Sequence, residues 1–369
     1  MAACGVNVAG NSDISYLMVL MTVVICLFAG PISRRLGVVD MPDGDRKAHP
    51  EPTPMVGGIA IMLPLCIWCF IQYFRPGDAN DLYPAIAICG GGLAVIGFMD
   101  DQQTISAGAR LILLALLSAV ALRLDSALIT NHVFTVAYGW SAAPYGLIPV
   151  LTVVALMGFS SAVNMADGMN GLVVALYLIW GFCLTLLSTG PAQGAAQLVA
   201  GAAFITFMFN LRGRLFLGDC GTFAIGFVVG LLAILAHNAG KLPLETVIVW
   251  FFLPVADCFR LIAVRAYRHR SPFRPDKNHF HHQLAKWIGE SAAFWTYAGI
   301  VTVTSLTATL DPQLADVCIA VLTVFFVGFQ ITDILAPARA ANIIADKRDE
   351  ATDERPSATI LPLNRNKPQ

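Results

Sequence analysis

The sequence predicts an all-α polytopic integral membrane protein, and three observations carry that expectation. The chain has 369 residues, 57% of them hydrophobic and only 13% charged, with a mean hydropathy of +0.69, a balance that excludes an ordinary soluble chain. About eleven apolar runs recur from end to end, at roughly 14–32, 56–74, 83–99, 108–124, 146–163, 171–188, 195–211, 221–237, 243–264, 292–310 and 315–335. Each is near the ~20 residues a bilayer requires. The third observation is the placement of charge. With the N-terminus outside, 20 of the 23 Lys and Arg residues fall on the inner side, and only Arg75, Arg123 and Lys241 fall outside, a clear positive-inside bias.

The first run has no basic region before it and is followed by Arg34 and Arg35. That pattern is expected of an uncleaved anchor with its N-terminus outside. An odd number of spans then places the C-terminus in the cytoplasm. The inner loops are 33–55, 100–107, 164–170, 212–220 and 265–291; the longest outer one, Asp125–Tyr145, is polar and aromatic. Residues 1–335 read as one transmembrane domain with its site in the inner loops. Residues 336–369, with the run K-R-D-E-A-T-D-E-R-P, read as a solvated, disordered tail. Nine cysteines lie mostly inside apolar runs; Cys66-x-x-Cys69, without a βαβ context, reads as small apolar packing rather than a redox pair.

The most unusual polar feature is Asp100-Asp101, on which the apolar run from Pro84 to Met99 ends. A carboxylate at the bilayer centre costs about 2.5–3.5 kcal/mol, so such a pair belongs at a membrane face or in a polar cavity. Two adjacent like charges also call for a cation nearby. The other inner loops bring further groups: Arg110, then Asn164-Met-Ala-Asp167-Gly-Met-Asn170-Gly, then Phe216-Leu-Gly-Asp219-Cys-Gly221. The last of them gives Ser271-Pro-Phe-Arg274-Pro-Asp-Lys277-Asn-His279-Phe-His281-His282, and the first gives Arg46-Lys47-Ala-His49. Taken singly, each has a plain structural explanation. Asp167-Gly and Asn170-Gly suit a tight turn, Asp219 suits a helix N-cap, and Asp257 and Arg260, one turn apart, suit a structural pair. His132, His237 and His269 read as structural.

Together they suggest chemistry. Carboxylate and amide oxygens are ligands for Mg²⁺, which typically binds through one or two carboxylates plus substrate phosphate oxygens. Zinc fits less well, because His279-x-His281-His282 is too cramped to supply three ligands. Histidines beside Arg274 and Lys277 suit phosphate. An oxygen-ligated metal with scattered cationic donors is the equipment of phosphoryl transfer, and its place at a membrane face suggests one soluble and one lipid substrate.

These motifs resemble the polyprenyl-phosphate N-acetylhexosamine-1-phosphate transferases over about residues 30–335. G-F-M-D-D resembles that family's paired-aspartate motif, N-M-A-D-G-M-N-G-L its N-x-x-D-G-x-D-G-L, and F-L-G-D-C-G its G-D-x-G. S-P-F-R-P-D-K-N-H-F-H-H is similar to the histidine loop of the bacterial undecaprenyl-phosphate GlcNAc-1-phosphate branch. Two positions depart from the pattern: Thr104 stands where an acidic group is common, and Asn170 replaces the second aspartate of D-G-x-D-G.

The resemblance implies transfer of N-acetylhexosamine-1-phosphate, GlcNAc-1-phosphate first among the candidates, from a UDP-sugar to undecaprenyl phosphate with release of UMP. It implies Mg²⁺, or Mn²⁺ in its place, and a multi-pass protein of the bacterial inner membrane with its site facing the cytoplasm. The expected roles are Asp219 and Asn164 at the metal, Asp100 or Asp101 at the lipid phosphate, and Asp167 at the nucleotide or metal. Arg110, Lys47, Arg274, His279, His281 and His282 would bind substrate. Membrane lipids are expected partners and nucleic acid is not; a homodimer stays open. UDP-MurNAc-pentapeptide or a rarer UDP-amino sugar is the alternative donor. A transporter or lipid flippase is the alternative class, against which stand the acids gathered at one face and the lack of an internal repeat.

Overall fold

Every apolar segment read from the sequence is a helix in the structure, a computed structural model that describes residues 8–42, 51–76, 80–130, 132–142, 147–269 and 278–335. In chain order the elements are α1 (Val8–Leu27), α2 (Ala29–Leu36), β1 (Val39–Asp40), β2 (Thr53–Pro54), α3 (Gly57–Tyr73), α4 (Leu82–Gln102) and α5 (Ala107–Leu124). There follow β3 (His132–Thr135), β4 (Gly139–Ala142), α6 (Leu147–Ala166), α7 (Leu172–Leu187), α8 (Gly190–Asn210) and α9 (Gly218–Asn238). The last are α10 (Leu244–Tyr267), α11 (Phe280–Ile288), α12 (Glu290–Leu310) and α13 (Ala315–Leu335). Among the described residues, eight helices are long and apolar enough to cross a membrane, and the α1–α2 pair makes a ninth if counted as one span. The apolar α3 and α7 are shorter. This is the architecture of a multi-pass membrane protein. Thr323–Gln369 forms a separate unit, of which only the end of α13 is described, so the expected tail at 336–369 lies outside the described residues.

Three sequence expectations change. The first segment is not one straight span: α1 and α2 meet at an angle of 75°. Gly30-Pro31 lies at the break, and a proline removes a helical donor and crowds the preceding turn. The Asp100-Asp101 pair is not in a loop but in the last turn of α4. The supposed loops 125–145 and 265–291 carry structure of their own, the antiparallel hairpin β3–β4 in the first and α11 in the second. The hairpin is anchored by His237, whose Nε2 accepts from the Phe134 N–H at 3.2 Å and whose Nδ1 lies 2.8 Å from the Leu242 carbonyl.

The bundle is organised around α9, which is apolar on nearly every side and almost wholly buried, as expected of a helix without a solvent face. It packs against α3, α4, α6, α7 and α8. Small residues permit this. A Cβ added at Gly58 of α3 would lie 2.2 Å from the Gly221 nitrogen, and one at Gly97 of α4 would lie 2.4 Å from the Asp219 carbonyl oxygen. Close helix approach through glycine is the usual membrane solution, since lipid supplies no hydrophobic drive between helices. The segment before α3 adds backbone bonds to the same place. Gly57 N–H and Gly58 N–H donate to the Phe216 and Leu217 carbonyls at 2.9 Å, and Phe216 N–H donates to the Pro54 carbonyl at 2.7 Å.

Gly58→Ala should therefore lower the thermal midpoint of the detergent-solubilised protein, because rigid backbone faces the new methyl and overpacking costs about 1–3 kcal/mol. Gly108→Ala, at a position with nothing within 4 Å, should leave it unchanged or raise it. Equal midpoints for the two variants would contradict this packing.

Candidate active site

The site grows from the start of α9. The first N–H groups of a helix have no partner within it and form its positive end. Here they meet Asp101: its Oδ1 accepts from Asp219 N–H at 2.9 Å and its Oδ2 from Cys220 N–H at 3.2 Å. Gly218 turns the chain into the helix at φ +71°, and a Cβ there would lie 2.6 Å from Asp101 Oδ2. Both the left-handed backbone and the carboxylate's approach require glycine at this position.

That cap fixes Asp219, whose side chain receives two partners from other helices. Asn164 Nδ2, at the end of α6, donates to Asp219 Oδ1 at 2.7 Å and to Thr222 Oγ1 at 2.7 Å. Arg110 Nη1, from the first turn of α5, lies 3.1 Å from Asp219 Oδ2 and makes a closer pair with Asp100 Oδ2. Asp100 is buried, and its Oδ1 accepts from Ile105 N–H at 2.6 Å, which shapes the turn leading to the Ser106 cap of α5. Two neighbouring aspartates thus have different duties. Asp100 holds Arg110, and Asp101 holds α9.

The D-G-M-N-G segment follows α6. Asn210, at the end of α8, ties it down by accepting from Gly171 N–H at 2.6 Å while donating to the Leu215 carbonyl at 2.7 Å. Nothing in the sequence reading singled out Asn210, since both its partners are backbone groups in other loops. Gly168 lies against the histidines: a Cβ there would stand 2.2 Å from His281 Nε2 and 3.0 Å from His282 Nε2. His281 is 1% exposed, and its Nε2 has no hydrogen-bond partner among the described residues. Burial, reinforced by His282 and His279, holds it well below the usual histidine range. Asp167 is exposed to the cavity, yet enclosure by the surrounding protein, with Asp101 nearby, pushes its carboxyl up to about 7. His279, before α11, faces Asp257 of α10 at 3.3 Å.

These groups border a cavity of about 1090 Å³. Asp101, Asn164, Asp167, Asp219 and His282 are on its wall, and Asp100, Arg110, His279 and His281 are not. Lys47 and Arg274 lie outside the described residues. Among the described residues of the wall, Asp40, Glu51 and Glu290 add to the acids, and Arg212 is the one Lys or Arg. So acidic a wall needs positive charge to receive a phosphate. No three His, Cys, Asp or Glu side chains among the described residues form a metal cage. Asp219 and Asn164 together offer a carboxylate and an amide. Asn164 Nδ2 donates to both Asp219 and Thr222, which fixes its amide plane. This sparse oxygen set fits Mg²⁺, which completes its shell with water and substrate phosphate.

Residues 83–237, the span from α4 to α9 that holds the Asp101–Asn164–Asp219 network, match the family model described as Glycosyl transferase family 4. The chain is 28% identical over 306 residues to the undecaprenyl-phosphate alpha-N-acetylglucosaminyl 1-phosphate transferase of Escherichia coli (strain K12), covering 79% of each chain. It is 26% identical to the same-named protein of Salmonella typhimurium over 92% of this chain and 96% of that one. These matches support a place in glycosyl transferase family 4. A further relative, the decaprenyl-phosphate N-acetylglucosaminephosphotransferase of Mycobacterium tuberculosis (strain H37Rv), is 27% identical over 74% of this chain and 76% of its own length. The family match ends before the histidine cluster, so that part of the site rests on the geometry.

Asp167 supplies a test of the enclosure. A carboxyl held at about 7 in the fold and near 4 when unfolded keeps its proton longer in the native state, so its contribution to stability falls as pH rises between those values. Asp167→Asn should remove that component, leaving the variant's thermal midpoint higher than wild type above pH 7 and the gap closed near pH 4. A gap independent of pH would contradict the assignment.

Proposed function

We propose that this protein transfers N-acetylhexosamine-1-phosphate, with GlcNAc-1-phosphate the foremost candidate, from a UDP-sugar to undecaprenyl phosphate, giving undecaprenyl-diphospho-sugar and UMP. The setting is the cytoplasmic face of a bacterial inner membrane, as the first membrane step of a cell-surface polysaccharide. The observation that carries this reading is the convergence of Asp101, Asn164 and Arg110 on Asp219 at the wall of the cavity. The names of the relatives support the donor and the polyprenyl acceptor.

In that reaction an oxygen of the acceptor phosphate forms a bond to the phosphorus bearing the sugar. The bond from this phosphorus to the bridging oxygen of UMP breaks, and the electron pair leaves with UMP. Mg²⁺, or Mn²⁺ in its place, would be held by Asp219 and Asn164 and would supply positive charge to the diphosphate. Asp101 keeps Asp219 in place through the start of α9, and Arg110 offsets part of the charge of Asp100 and Asp219. Asp167, with its carboxyl at about 7, can hold or take the proton of an acceptor phosphate near neutral pH. His282 reaches the cavity directly and can donate to a sugar-nucleotide phosphate there, with His281 and His279 packed against it.

Asp219→Ala should cut UMP release from UDP-GlcNAc and undecaprenyl phosphate by about 100-fold or more, the scale of removing one electrostatic stabiliser. The variant should still elute as folded protein in detergent. Full turnover would contradict the assignment.

A further inference from the structure

Asp257 and Arg260 read from the sequence as a structural pair on one helix, yet in the fold their bonds reach beyond α10. Asp257 is 5% exposed. Its Oδ1 accepts from Arg260 Nε at 3.0 Å and Nη2 at 2.6 Å. Its Oδ2 accepts from Phe280 N–H at 3.1 Å and lies 3.3 Å from His279 Nδ1. Arg260 Nη2 also donates to the Asn278 carbonyl at 2.5 Å. Residues 278–280, where α11 begins, are thus tied at three successive positions to one ion pair. His279 occupies the cap position of α11 but makes no side-chain cap of its own; the carboxylate of Asp257 does so from another helix.

We infer that Asp257 is a positioning residue for the histidine cluster: it fixes His279 with Nδ1–H towards its carboxylate and, through the packed imidazole rings, sets the orientation of His282 on the cavity wall, where a sugar-nucleotide phosphate would bind. A carboxylate on one imidazole nitrogen sets the tautomer and orientation of the ring and strengthens the other nitrogen's bond. Arg260 neutralises the carboxylate, so the arrangement survives burial. The orientation passes on, because the His279 ring stacks on His281 at 5.5 Å with an interplanar angle of 14°. His281 in turn lies 4.2 Å, centre to centre, from His282, which lines the cavity. The inference rests on the transferase reading above.

A double-mutant cycle with purified full-length protein tests it, reading kcat and KM for UDP-GlcNAc and for undecaprenyl phosphate. Asp257→Asn keeps the size of the side chain and an acceptor for Arg260 but presents an N–H₂ group to His279, which favours the opposite tautomer. We expect kcat/KM for UDP-GlcNAc to fall roughly 10–100-fold, the usual effect of losing such a supporting carboxylate, with KM for undecaprenyl phosphate unchanged. His279→Gln should lose a similar factor, and the double variant should be no worse than either single one, because the first change acts through the second residue. Asp257→Glu, which keeps the charge, should recover part of the activity, and it carries the same cycle if the asparagine variant does not fold. Additive losses, or wild-type kinetics in Asp257→Asn, would overturn the inference while an active wild type left the transferase reading standing. A wild type without turnover would overturn both.

Discussion

The carboxylate of Asp101 on the first N–H groups of α9 is the contact on which the rest of the site depends. A helix that starts inside protein presents donors that water cannot reach, and each one left unsatisfied costs about 1–3 kcal/mol. Asp101 meets two of them from α4, at the positive end of the helix, where a negative charge is favoured. The contact needs α4 and α9 to approach closely, and Gly97 and Gly218 allow it. Once the end of α9 is fixed, the position of Asp219 is fixed with it. Asn164 from α6 and Arg110 from α5 then meet the same carboxylate.

Charge explains where the site stands and what it requires. Carboxylates are tolerated in membrane proteins at helix ends and in polar cavities, and here Asp100 and Asp101 end α4 while Asp219 begins α9. Arg110 bridges Asp100 and Asp219, so part of the negative charge is balanced within the protein. The described wall nevertheless remains acidic. Such a surface receives a diphosphate only when further positive charge comes with it, and Asp219 with Asn164 is the oxygen set suited to a small divalent cation. The histidine cluster stands on a separate support, the Asp257–Arg260 pair of α10.

The helices were legible in the sequence because apolar runs of spanning length leave little choice of structure, and each run became a helix. The ordered motifs likewise pointed to residues that the fold brings together: Asp101, Arg110, Asn164 and Asp219 are far apart in the chain and joined by hydrogen bonds. The separate duties within the site were not legible. Adjacent aspartates look equivalent in a sequence, and only the crossing of α4 against α9 gives Asp101 the helix cap and Asp100 the arginine. Asp257 looked local because its partner Arg260 is one turn away, whereas its bonds to His279 and Phe280 depend on where α11 begins. Asn210 was invisible because its partners are backbone groups. Local hydropathy likewise gave no sign that the first apolar segment bends by 75°.

The central claim is that this acidic, helix-capped site transfers a sugar-1-phosphate to a lipid phosphate. Its most direct measurement is product formation by the purified protein from undecaprenyl phosphate, Mg²⁺ and a panel of UDP-sugars, with the lipid-linked sugar and UMP quantified together. The account predicts equal amounts of the two products with UDP-GlcNAc and little or none with UDP-MurNAc-pentapeptide. The absence of a lipid-linked product with every sugar nucleotide would contradict it.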